Sequence, residues 1–243
     1  MKLDMRKIMN LKRDVRFEAT KEKEYKLTIY GAIGGWFNEN DAESIRRKLN
    51  DVDAEKIHVH INSGGGSAFD GVAIMNILKQ HKAEVIVHID GWAASAASVI
   101  AMGGDKIIMP SNTMMMIHQA STFEYGNADD MEKTAKDLRK IDTALRQSYK
   151  SRFVGTEDEL IQLLKDETWL TADEALALGL ADEVVEEIEI DDTQEEESEE
   201  EIENAKDSIV AKYAAQAQQQ NNEEQKEPTP APKQNISKLF LNL

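Results

Sequence analysis

The chain has 243 residues, enough for one good core with extensions. It contains no cysteine, which excludes disulfides and thiolate metal sites and points to a reducing, cytoplasmic setting. The net charge of −17 is concentrated, because residues 183–203 hold 13 acids and no Lys or Arg. No apolar run approaches ~18 residues, so no membrane span is expected, and no apolar h-region of a secretory signal opens the chain.

The first 23 residues lean basic, with Lys2, Arg6, Lys7, Lys12, Arg13, Arg16, Lys21 and Lys23 against four acids. They lack aromatic interleaving and any nucleic-acid motif, so residues 1–24 read as a solvated, mobile leader and no nucleic-acid partner is expected. Lys26–Ile33 alternates as a strand, Gly34-Gly35 turns it, and Trp36-Phe37 supplies an apolar plug. Asn40 or Asp41 caps a helix that carries Ile45 and Leu49 inward. Lys56–Ile61 is the next strand, with Ile57, Val59 and Ile61 on one face and His58 and His60 on the other. An HxH pair can hold zinc, but no third ligand is evident and no metal is expected.

Asn62–Ser67 (NSGGGS) follows that strand, and a helix over Ala68–Lys82 follows in turn. Consecutive glycines adopt backbone angles closed to other residues and can turn N–H groups toward an anion. A phosphate cradle is one use, yet the Lys and Ser/Thr of a P-loop are absent. An oxyanion hole is the other, and it needs a nearby nucleophile; without one the run is a flexible turn.

Val85–Ile89 reads as a buried strand, Asp90-Gly91 as a break, and Ala93–Met102 as a helix of mostly small residues. Ser95 thus sits at a strand-to-helix elbow near the positive end of a helix dipole. Serine among alanines is ordinarily a packing or capping residue, a role Ser98 fits well. With a base in reach, Ser95 becomes a candidate nucleophile. Lys106–Met109 and Thr113–Ile117 are short strands about a Pro110-Ser111-Asn112 turn, and His118 ends the second. Strand-ending histidines are commonly structural, but the apolar run before this one would bury it beside the preceding helix. The βαβ order predicts a mainly parallel sheet with right-handed crossovers, which gathers strand ends on one side. Gly64–Gly66, Ser95 and His118 all fall at such junctions.

Asn127–Phe153 is a long amphipathic helix with Met131, Ala135, Leu138, Ile141, Leu145 and Tyr149 on its stripe. It is either a plain core helix or one that packs partly on another subunit. Thr156 with Glu159 and Thr171 with Glu174 are capping boxes that start two further helices, and Leu180–Val185 closes the fold. From residue 188 onward the chain is an acidic, low-complexity tail, too charged to collapse. Within it, residues 205–217 form at best a marginal helix. Pro228, Pro230 and Pro232 make a stiff spacer. The terminal ISKLFLNL is apolar, either a docking segment or a frayed end.

Residues 25–187 resemble the Clp peptidases, the serine proteases typified by ClpP. INSGGGSAFDGVAIMNIL resembles that family's INSPGG loop and helix, GWAASAASVIAMGG its nucleophile segment, MMMIHQA its MIHQP base segment, and WLTADEALALGLADEVV its closing acid-bearing block. The order is kept, with 23 residues from Ser95 to His118 and 49 from His118 to Glu167. The details AASAAS and ETWLTADEA are closer still to ClpP-like head maturation proteases of tailed phages and prophages. The resemblance implies an α/β fold of repeated βαβ (ββα) units shared by ClpP and crotonases, with the long helix mediating a homo-oligomeric ring. It implies Ser95 as nucleophile, His118 as base, and Glu167 as the third member, with Asp166 as a rival. It implies an oxyanion hole from the Gly66 and Ala96 N–H groups, no cofactor, and capsid or scaffold polypeptides as substrates in a host cytoplasm. Three departures stand out: Gly64 and Ala120 replace family prolines, and Glu167 replaces the usual Asp. The N-terminal segment lacks the axial-pore pattern, which leaves a Clp ATPase partner open. The alternatives are a catalytically silent assembly or scaffold protein on the same fold, and a crotonase-like thioester enzyme, against which the Ser-His pair argues.

Overall fold

The computed structural model describes residues 14–35, 40–50 and 52–186. Trp36-Phe37, the first half of the basic leader and the tail from residue 188, with its 205–217 helix and apolar terminus, lie outside the described residues. The strands are β1 (Asp14–Lys21), β2 (Glu24–Tyr30), β3 (Lys56–Ser63), β4 (Glu84–Ala94), β5 (Lys106–Pro110), β6 (Met114–Ile117), β7 (Thr168–Thr171) and β8 (Glu183–Val185). The helices are α1 (Ala42–Leu49), α2 (Ala68–Gln80), α3 (Ala96–Ala101), α4 (Ala128–Lys150), α5 (Glu157–Lys165) and α6 (Ala172–Ala177). One sheet runs β1-β2-β3-β4-β5-β8, and β6 joins it by pairing with β4 and β7. Only β1–β2 and β6–β7 are antiparallel, so the sheet is mainly parallel, as the βαβ order predicts.

Strict alternation builds the centre. Ile57, Val59, Ile61 and Ser63 of β3 are buried while Lys56, His58 and His60 are half-buried. The register sets Leu27, Val59 and Val87 side by side across β2, β3 and β4, with Ile29, Ile61 and Ile89 in the next row. Ile45 and Leu49 of α1, Ile74 and Leu78 of α2, and Ile100 of α3 complete the same core. Asp41, not Asn40, caps α1, its carboxylate accepting the Ser44 N–H at 2.8 Å. Asn40 instead turns inward, its amide donating to the carbonyls of Tyr30 (2.7 Å) and Ala32 (3.1 Å).

Two expectations need correcting. The leader is not mobile throughout: residues 14–21 form β1, in register from Asp14↔Tyr30 to Lys21↔Glu24. Phe17 stacks on Tyr25 at 5.1 Å and the Arg16 guanidinium folds onto Asp14 in the same strand, so an apparently solvated charged run is an edge strand with an alternating Val15, Phe17, Ala19 face. Nor does β4 end at Asp90-Gly91. It continues to Ala94, and the β3–β4 register slips between Ile61↔Ile89 and Ser63↔Ala93, a bulge that inserts residues into β4 only. Beyond it, β4 leaves β5 and pairs with β6, and the small-residue helix begins at Ala96 rather than Ala93.

Candidate active site

The β4–β6 pairing decides what stands at the sheet's end. Its parallel register matches Trp92, Ala93 and Ala94 with Met114, Met115 and Met116, and the Ser95 N–H donates to the Met116 carbonyl at 2.9 Å. The residues leaving the two strands therefore emerge side by side. Ser95 Oγ and His118 Nε2 lie 2.7 Å apart. Ser95 turns sharply to make this contact, with φ 57° and ψ −125°, a conformation side chains rarely adopt and one seen where a strand hands a nucleophile to a helix. Ser98 Oγ donates to the Ser95 carbonyl at 2.6 Å and lies 2.8 Å from the buried Tyr149 hydroxyl. With its proton committed to Ser95, Ser98 accepts from Tyr149, whose pKa burial raises. Ser98 is thus more than a packing residue.

The glycine run lies directly against this elbow. A Cβ on Gly65, at φ +91°, would stand 2.6 Å from the Ser95 Cβ and 2.7 Å from the Ala94 carbonyl oxygen. Gly66 forms a parallel bridge with Ile33, in which the Ile33 N–H donates to Gly65 and its carbonyl accepts from Ser67. That pattern uses the groups flanking Gly66, so the Gly66 N–H points away from Ile33. Ala96 opens α3, where an N–H has no carbonyl behind it within the helix. Gly66, Ser95, Ala96 and His118 line one cleft of about 280 Å³ whose walls include Phe69, Ile141 and Leu145.

Burial pushes the His118 imidazole below its ordinary pKa, and the carboxylates of Glu167 and then Asp142 pull it back up. Among the described residues no hydrogen bond joins the ring to either carboxylate. Glu167 stands between α5 and β7 with a left-handed φ of 52°. Its rival Asp166 caps the end of α5, and its carboxylate accepts from the Gln162 amide at 2.7 Å. Asp142, on α4, is a residue that the sequence alone does not single out. The signal for it is faint: an acid three residues before Leu145 and seven before Tyr149, on the buried face of an otherwise charged helix.

The HxH histidines go elsewhere. His58 Nδ1 lies 2.9 Å from His88 Nε2, His60 Nδ1 3.0 Å from the Asp90 carboxylate, and the Tyr30 hydroxyl donates to Asp90 at 2.6 Å. Among the described residues no group of three His, Asp or Glu has the geometry of a metal site, and no helix is long and apolar enough to cross a membrane.

Comparison with known proteins adds family and fold. The model of the Clp protease family matches residues 12–188. An ATP-dependent Clp protease proteolytic subunit from Deinococcus radiodurans is 33% identical over 134 residues, which cover 54% of this chain and 65% of that relative. Among solved structures, a point mutant of ClpP1 from Listeria monocytogenes matches with a TM-score of 0.58 at 26% identity, covering 67% of this chain and 91% of that one.

Proposed function

This chain belongs to the Clp protease family, and from that premise we propose that it is a serine endopeptidase working through Ser95 and His118. The observation that carries the reading is the 2.7 Å contact between Ser95 Oγ and His118 Nε2 at the floor of an open cleft. His118 takes the hydroxyl proton as Ser95 attacks the scissile carbonyl, then passes it to the leaving amine; water attacks the acyl-enzyme by the same route in reverse. The lowered pKa favours the neutral imidazole, the form able to accept that proton. The Gly66 and Ala96 N–H groups receive the oxyanion, where one lost donor typically costs ~3 kcal/mol. Glu167 is the third member, favoured over Asp166 because its charge acts on His118 while the Asp166 carboxylate is held by Gln162.

The substrate is an extended polypeptide laid along the cleft, with apolar side chains against Phe69, Ile141 and Leu145. The sequence resemblance to head maturation proteases supports capsid or scaffold polypeptides in a host cytoplasm as the substrates, and the exposed half of α4 supports a ring assembled through that helix. The test is labelling of the full chain with a fluorophosphonate, with the tag located by mass spectrometry. Label on Ser95, lost in Ser95→Ala and His118→Ala, is the expected result. An unlabelled Ser95 in a folded, assembled chain defeats the reading and leaves a silent assembly protein.

A further inference from the structure

We propose that Asp142 is a positioning residue for His118, holding the backbone just beyond the histidine through the Ala120 N–H and so setting where the imidazole stands against Ser95. The inference rests on the Ser95–His118 reading. Its first support is the bond itself: the Ala120 N–H donates to Asp142 Oδ1 at 2.6 Å. Its second is the residue that donates. Ala120 stands where the resembled family has proline, and only a residue other than proline has an N–H to give there. Donor and acceptor are thus a matched pair in this chain. Next to them the Gln119 N–H donates to the Leu164 carbonyl at 2.9 Å, so the two residues after His118 are tied to α5 and α4 in turn.

His118, Asp142, Leu145, Arg146 and Leu164 line one small pocket of about 20 Å³, so the carboxylate stands beside the histidine it holds in place. The charged groups facing His118 are Glu167 from the α5–β7 junction, and Asp142 and Arg146 from α4. Arg146 is engaged with the first turn of α5, its Nε 3.1 Å from Glu157 Oε1. Seven residues along α4 from Asp142, Tyr149 reaches Ser98 and through it the Ser95 carbonyl. One helix face therefore holds both the segment carrying the base and the segment carrying the nucleophile.

Substitutions separate tether from charge. Asp142→Ala removes both, Ala120→Pro removes only the N–H, and Asp142→Asn keeps an acceptor oxygen without the charge. Fluorophosphonate labelling of Ser95 should slow about tenfold or more in Asp142→Ala and in Ala120→Pro, as for a misplaced catalytic group, while circular dichroism and oligomeric state match the parent. Asp142→Asn should label at nearly the parental rate at neutral pH, with the His118 resonance of [13Cε1]-histidine protein titrating at lower pH. A parental rate in either tether variant, or an Asp142→Asn as slow as Asp142→Ala, overturns the proposal. If the parent does not label at all, the peptidase reading falls instead, and the His118 titration still decides: an unmoved midpoint in both Asp142 variants overturns the Asp142 assignment, a lowered one sustains it.

Discussion

Ser95 holds a backbone conformation that costs of order 1–3 kcal/mol, and the strain is offset by bonds at both ends of the residue. Its N–H is given to Met116 and its carbonyl receives Ser98. The glycine loop must come within van der Waals range of that elbow, which leaves no room at Gly65. Gly65→Ala combines a Cβ contact of 2.6 Å with a positive φ, so we expect fluorophosphonate labelling of Ser95 to fall at least ~10-fold. A labelling rate within twofold of the parent would show that the loop can withdraw. Glu167 acts on His118 by charge, raising a pKa that burial lowers. Glu167→Gln removes the raising influence, so the acidic limb of the labelling pH profile should move to lower pH. A limb that stays or moves upward would exclude Glu167 as the acid.

At the scale of elements, two features position the site: the bulge in β4 and the buried half of α4. The bulge lets one strand serve β5 with residues 86–88 and β6 with residues 92–94, and only the second pairing brings Ser95 and His118 together. The Tyr149 hydroxyl links the end of α4 to α3. Tyr149→Phe should cost about 1 kcal/mol in urea unfolding, the net worth of one hydrogen bond, and slow labelling of Ser95; an unchanged midpoint would remove that link from the argument. The histidine ladder across β3 and β4 bears on stability. Burial lowers the pKa of His58, and that of His88 to about 4. A histidine with a depressed folded pKa stabilises the fold above its unfolded pKa of ~6.5 and loses that contribution as pH falls toward the folded value. The melting temperature should therefore drop between about pH 6.5 and pH 4, and His88→Gln should flatten the drop. An equal slope in the variant would assign acid sensitivity to other groups.

At the scale of the whole molecule, α4 is two helices in one. Its C-terminal half buries Leu145 and Tyr149, while the capping box of Asn127 and Asp130 starts a half that stands largely exposed, with Met131 42% accessible. Phe123 and Tyr125, just before it, are each 91% accessible. Apolar groups displayed together suit association, and a ring through this half of α4 predicts that sedimentation will show an oligomer at micromolar concentration. Met131→Glu should shift it toward monomer while residues 14–186 keep their circular dichroism. A parent that sediments only as monomer at micromolar concentration would remove the ring.

Much of this fold was legible in residues because burial leaves periodic traces. The parallel core strands, the two capping boxes at Thr156 and Thr171, and the junction positions of the glycine run, Ser95 and His118 all follow from local pattern. Where pattern failed, charge or glycine concealed the structure: β1 hid an alternating face behind Arg16, Glu18 and Lys21, and Gly91 marked a bulge rather than an end. What tertiary structure alone decided is register and proximity across distant segments. Spacing along the chain cannot say that Ala94 pairs with Met116, that Tyr149 reaches Ser98, or that Asp142 accepts the Ala120 N–H. Those are long-range contacts between groups that local propensity leaves unconstrained, and only the closing of the whole core selects them.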